Sequence, residues 1–200
     1  MISLDVGGTL LELAEPESAY ADFLERFGYP SDKEQIRSWI RTSQIESGGE
    51  GVSVTSEFTV SGEKEQTRRD KMISIFLREA GVDKGLEDCR KAMWESWLKE
   101  PVFRLFPEVI SVLAQLKEQG FVLGAVSNWE PRLSQLCENL EIGKYLDFFV
   151  VSELEGHVKP STRLFERALE KVGVDPKEVI HVGDDLTKDI RPAHKVGMRG

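Results

Sequence analysis

The sequence predicts an α/β fold in which a parallel sheet with flanking helices is interrupted, just after its first strand, by a helical insertion. Two observations carry this expectation. From residue 101 onward, short apolar runs alternate with helical patterns, which is how the strand and helix units of a parallel sheet read in sequence. Between the opening run at Ile2 to Val6 and that region, residues 14–100 are dominated by helical periodicity. The expected division is a core built from residues 1–13 and 101–200 and an insertion over 14–100.

Ile2 to Val6 reads as a strand that runs into an acid and two glycines, Asp5-Val6-Gly7-Gly8-Thr9. The insertion then shows four apolar stripes: Tyr20, Phe23, Leu24 and Phe27; Ile36, Trp39 and Ile40; Ile73, Phe76, Leu77 and Ala80; and Leu86, Cys89, Met93 and Trp97. Each stripe fits one face of a helix, so a small bundle is expected, with packing as the purpose of the stripes. The link ESGGEGVSVTSEFTVSG between the second and third is rich in Gly, Ser and Thr and reads as a mobile loop, with a short hairpin as the alternative. Past Pro101, Val109, Val112, Leu113 and Leu116 mark a helix over 108–119 that stops at Gly120, and further helices are expected over 131–140 and 161–172. Phe121 to Val126, Phe148 to Val151 and Val179 to Val182 are the remaining strands. An insertion beside a strand end is expected to act as a lid.

The 200 residues, 40% of them hydrophobic, suffice for one sizeable core with a smaller domain attached. With 35 acidic and 26 basic residues the net charge is -9, which disfavours binding to the phosphate backbone of nucleic acid. No stretch approaches the roughly 20 apolar residues of a membrane span, and Met1 leads straight into the first strand without a signal-like prelude. A cytoplasmic protein without nucleic-acid or membrane partners is expected, as a monomer or homodimer. Cys89 and Cys137 are isolated from other ligand residues and read as buried thiols. His181, inside a strand, is expected to pack beside the sheet, and His157 and His194 to lie at the surface.

Ligands of an open parallel sheet bind beyond the carboxyl ends of its strands, so the polar residues after each apolar run are the ones to inspect. They are Asp5 to Thr9, Ser127 and Asn128, Lys159 ahead of the helix at Ser161, and Asp184 and Asp185 with Asp189 beyond. Singly, each has an ordinary explanation: a turn acid, a helix cap, a solvated loop lysine, acids at a helix N-terminus. Together at one sheet edge they would supply a carboxylate nucleophile, hydroxyl and amide donors, a cation and acids able to hold Mg²⁺. Phosphoryl transfer to an aspartate requires that combination.

These residues resemble the four motifs of the haloacid dehalogenase (HAD) superfamily, in order: DVGGT, VSN at Val126 to Asn128, KP at Lys159, and GDDLTKD from Gly183 to Asp189. The resemblance spans nearly the whole chain and is nearest the phosphatase-like members, in the branch of HAD domain-containing protein 3. It implies a Rossmann-like core with a C1 helical cap and a small phosphorylated substrate. By the same resemblance Asp5 is the nucleophile and a Mg²⁺ ligand, and Lys159 stabilises it and the transition state. Ser127, Asn128, Gly8 and Thr9 bind the phosphate or support the turn that does. Asp184 and the backbone carbonyl of Gly7 complete the Mg²⁺ site, with Asp185 ligating the ion or orienting its waters, and Asp189 braces the loop. Cap residues around Ser47 to Ser61 would shape substrate choice.

One position departs from the pattern. Phosphatases of this family carry a second aspartate two residues after the nucleophile, and Gly7 stands there. That acid protonates the leaving oxygen and activates water, help worth about 10²- to 10⁴-fold. Four readings rank accordingly. First is a Mg²⁺-dependent phosphatase that is slow, limited to good leaving groups such as acyl or aryl phosphates, or assisted by a substrate group, and second a catalytically impaired domain that binds a phosphorylated ligand or protein partner. A phosphonatase-like hydrolase, which would need a Schiff-base lysine such as Lys33, Lys64 or Lys71, is third, and a dehalogenase is fourth.

Overall fold

The computed structural model describes residues 1–47, 63–96, 98 and 102–200. Its chain divides into two units, one containing Met1–Glu12 and Arg104–Gly200, the other the described residues of 13–47 and 63–103. In chain order the elements begin with β1 (Ile2–Leu4), β2 (Leu11–Leu13), α1 (Pro16–Arg26), α2 (Lys33–Glu46), α3 (Glu63–Glu79), α4 (Leu86–Ser96) and β3 (Phe103–Leu105). They continue with α5 (Val109–Glu118), β4 (Leu123–Ser127), α6 (Leu133–Asn139), β5 (Phe148–Val151), α7 (Ser152–Glu155), α8 (Arg163–Val172), β6 (Ile180–Val182) and α9 (Arg191–Lys195). The α/β class expected from the sequence is the one observed.

The sheet runs β5-β4-β1-β6, with every pairing parallel. All five residues of β4 are buried, as expected of a strand covered on both faces, which reads as an unbroken apolar run. Gly124 in its middle admits the Phe148 ring, which would lie 2.0 Å from a Cβ at that position. β4 begins two residues later than its apolar run. Gly120, at φ 80, ends the preceding helix, and the Phe121 amide turns back to the Leu116 carbonyl, leaving Phe121 and Val122 outside the strand. β2 and β3 pair with each other in a separate two-stranded sheet.

In the second unit, α1 to α4 bury Phe23, Leu24, Ile36, Phe76, Leu77 and Met93 in a common core. Phe27 and Leu86, placed in the stripes by their spacing, are exposed instead, because both sit at helix ends. The Asp32 carboxylate accepts from the Gln35 amide while the Gln35 side chain accepts from the Asp32 amide, so a capping box starts α2. Cys89 and Cys137 are both free and buried. Trp97, Pro101 and residues 48–62 of the link, with most of the stretch assigned to substrate choice, lie outside the described residues. Among the described residues no helix is long and apolar enough to cross a membrane.

Candidate active site

Because the strands are parallel, β1, β4 and β6 deliver their carboxyl ends to one edge of the sheet, and Asp5, Ser127 and Asp184 stand at those ends. Asp5 is 6% exposed. Its Oδ1 accepts hydrogen bonds from Ser127 Oγ at 2.9 Å and Lys159 Nζ at 2.6 Å. Lys159 Nζ also donates to Asp189 Oδ1 at 2.5 Å, so one ammonium bridges two carboxylates. Burial pushes Lys159 down, but the charges of Asp5 and Asp189 outweigh it and hold the lysine above its ordinary value. Asp189 shows the reciprocal effect: burial raises it, yet the His181 and Lys159 hydrogen bonds and the Lys159 charge bring it down to about 2.

Carboxylate oxygens of Asp5, Asp184 and Asp189 lie within 4.8 Å of one another. Burial, and then the charge of Asp5, push Asp184 above the usual carboxylate range. Three acids thus face one ammonium, a surplus of negative charge that a hard divalent cation would balance. Asp185 was expected in this cluster and its carboxylate points elsewhere. It caps the π-helical turn Leu186–Ile190, accepting from the Thr187 and Lys188 amides, which hold it below its ordinary value. Asp189 stands in the cluster and also braces the loop, since its Oδ2 accepts from the Asp185 amide at 3.1 Å.

Glycines make room for this crowding. A Cβ on Gly8 would stand 2.5 Å from Asp184 Oδ2, and one on Gly183 would stand 2.4 Å from Asp189 Cγ. Gly8 adopts φ 81, and its amide donates to the Leu11 carbonyl within the turn, so that amide is already engaged. The Val6 and Gly7 amides donate to no backbone carbonyl among the described residues. Thr9, assigned to hydrogen bonding within the turn, has a buried hydroxyl with no partner, because Thr9, Leu10 and Leu11 close that turn through their backbone amides onto the Val6 carbonyl.

Asn128, grouped above with the phosphate binders, grips the backbone of Lys159 on both sides: Nδ2 donates to the Lys159 carbonyl at 3.0 Å and Oδ1 accepts from its amide at 2.6 Å. It positions the lysine. Two residues that the sequence reading left out of the site belong to this buried network: His181, which contacts Asp189, and Ser3, which contacts His181. The available signal was a polar residue in the middle of each of two apolar strands.

The family model for haloacid dehalogenase-like hydrolases matches residues 1–197. The chain belongs to the haloacid dehalogenase-like hydrolases. Over 99 residues this hydrolase is 40% identical to the glyceraldehyde 3-phosphate phosphatase of Methanopyrus kandleri, covering 46% of this chain and 40% of that protein. Over 129 residues it is 34% identical to haloacid dehalogenase-like hydrolase domain-containing protein 3 of Bos taurus, covering 64% of this chain and 51% of that protein. The chain therefore spans about half or less of the length of both relatives. Among solved structures, the 2-haloacid dehalogenase from Pseudomonas syringae pv. Tomato is 25% identical at a TM-score of 0.68, over 99% of this chain and 83% of that one. The magnesium-bound HAD-hydrolase YfnB from Bacillus subtilis, 18% identical over 98% of this chain and 85% of that one, shares the fold at a TM-score of 0.68.

Proposed function

We propose that this hydrolase is a Mg²⁺-dependent phosphatase acting on a small phosphorylated metabolite through an aspartyl-phosphate on Asp5. The observation that carries the reading is the buried Asp5 carboxylate, held through Oδ1 by Ser127 and Lys159 beside the acids Asp184 and Asp189. The Methanopyrus relative, named for a small phosphorylated metabolite, supports the substrate class.

Asp5, Asp184 and the Gly7 carbonyl would hold Mg²⁺, with Asp189 in place of Asp185 orienting its waters, and the bound ion would neutralise charge on the phosphoryl oxygens. An Asp5 oxygen forms a bond to phosphorus as the bond from phosphorus to the leaving oxygen breaks, while Lys159 stabilises the negative charge beside it. The Val6 and Gly7 amides suit the phosphoryl oxygens. Water then attacks phosphorus, releasing phosphate and restoring Asp5. Gly7 offers no side-chain proton, so the leaving oxygen departs on its own acidity or with a proton from a group of the substrate; unassisted alkyl phosphates turn over slowly and acyl or aryl phosphates faster.

Gly7 is also the observation that favours the second reading, a domain that binds a phosphorylated ligand or partner without turnover. The phosphonatase reading draws no support from the described lysines of the insertion. Lys33 and Lys71 are exposed, and Lys33 pairs with Glu15, whereas a Schiff-base lysine needs a desolvated setting. The side chain of Lys64 lies outside the described residues.

Release of p-nitrophenol from its phosphate ester, with and without Mg²⁺, tests the proposal, because this leaving group scarcely needs a proton donor. Turnover should require Mg²⁺ and vanish in folded Asp5→Asn. A variant as active as wild type removes Asp5 from the mechanism, and a folded wild type that binds Mg²⁺ but is inert transfers support to the binding reading.

A further inference from the structure

Behind the nucleophile a line of buried polar groups crosses the sheet. Ser3 on β1 and His181 on β6 are register partners, 0% and 1% exposed. Ser3 Oγ lies 2.9 Å from His181 Nδ1, and His181 Nε2 lies 3.3 Å from Asp189 Oδ1, the oxygen that also receives Lys159 Nζ. Phe165 meets the imidazole edge-on, with ring centroids 4.9 Å apart, and fixes the plane of the ring.

The direction of each hydrogen bond follows from its neighbours. Asp189 sits between a lysine ammonium and the Asp185 amide, so it is a carboxylate that only accepts. The imidazole must therefore present Nε2–H to it. Burial pushes His181 below its ordinary value, which leaves the ring neutral with that single proton. Nδ1 is then an acceptor, and the Ser3 hydroxyl is its donor. Ser, His and Asp repeat the residue types of an acyl-transfer triad, but Ser3 is fully buried in a central strand and cannot reach a substrate.

We infer that Ser3 and His181 are positioning residues: Asp189 draws the Nε2–H tautomer of His181, Ser3 donates to Nδ1 and anchors the ring, and the anchored ring locks the Asp189 carboxylate so that it holds the Lys159 ammonium against Asp5. Lysine is a point charge on a flexible four-carbon stem, and its direction is set by the acceptors around it. With Asp189 free to turn, the ammonium follows Asp189 or Asp5 alone. In its kinetic consequence this inference rests on the phosphatase reading; in its tautomer it does not.

The test has two arms on the full chain. In ¹⁵N-histidine-labelled protein the ring nitrogens of His181 should report the Nε2–H tautomer, with or without Mg²⁺, and an Nδ1–H tautomer overturns the inference. In p-nitrophenyl phosphate turnover, His181→Phe should lower kcat by about 10- to 100-fold with KM nearly unchanged. His181→Gln, which keeps a donor for Asp189 and an acceptor for Ser3, should restore much of that loss, and Ser3→Ala should fall between. Equal losses in the Phe and Gln variants, or no loss in folded Phe variant, overturn it. An inactive wild type that still shows the Nε2–H signal marks the failure of the phosphatase reading alone.

Discussion

At Gly7 the chain offers a carbonyl and no side chain where its phosphatase relatives are expected to carry an acid. Gly7 is not among the residues with positive φ, unlike its neighbour Gly8, so its backbone accepts a side chain without the strain that Gly8 would impose. Gly7→Asp should therefore raise kcat/KM on alkyl phosphates by about 10²- to 10⁴-fold while changing p-nitrophenyl phosphate turnover little. The ratio of the two rates is the measurement; an unchanged ratio, with Mg²⁺ binding intact, means the missing acid does not limit the reaction. The individual site residues were legible to different degrees for a physical reason. Asp5, Ser127 and Asp184 follow apolar runs, and strand ends advertise themselves. Asp184 and Asp185 were harder to separate, because side chains of successive residues leaving a strand point to opposite sides. The π-helical turn then carries Asp189 back toward Lys159, and no spacing rule announces that turn. Ser3 and His181 were hidden because a polar residue inside a strand reads as packing until its register partner is known.

Among the elements, α8 is the one that connects packing to chemistry. Its sequence RLFERALEKV places Leu164, Phe165 and Ala168 on one buried face, and Gly173 at φ 70 ends it. Phe165 is 0% exposed and rests against His181, so the helix stabilises the unit and orients the imidazole together. Phe165→Ala should cost about 3–5 kcal/mol, read from the shift in the urea midpoint. A loss below about 1 kcal/mol would mean the site collapses around the gap and that the ring does little to hold His181. The strands and most helices were legible because buried parallel strands are apolar runs and amphipathic helices repeat every 3.6 residues. Their ends were less so: Gly120 and the Phe121 amide, by closing α5, removed two apolar residues from the next strand, a contest between helix capping and strand pairing that composition does not reveal.

For the molecule as a whole, a chain with net charge -9 gathers three carboxylates at one point of its sheet edge, and the proposed cation would relieve that repulsion only in the folded state. Mg²⁺ at about 100 times its Kd should therefore stabilise the protein by about 2.7 kcal/mol, seen as a rise in Tm. Asp184→Asn should abolish that rise; an equal shift in the variant would place the cation elsewhere. The order of the strands has a further consequence, for how the protein is made. β1 lies between β4 and β6, yet its partners follow it by more than a hundred residues. At synthesis rates of about 5–20 residues per second, the ribosome needs roughly 6–24 s after β1 before β4 exists. Throughout that interval both edges of β1 are unpaired, an exposure that a holding chaperone would cover.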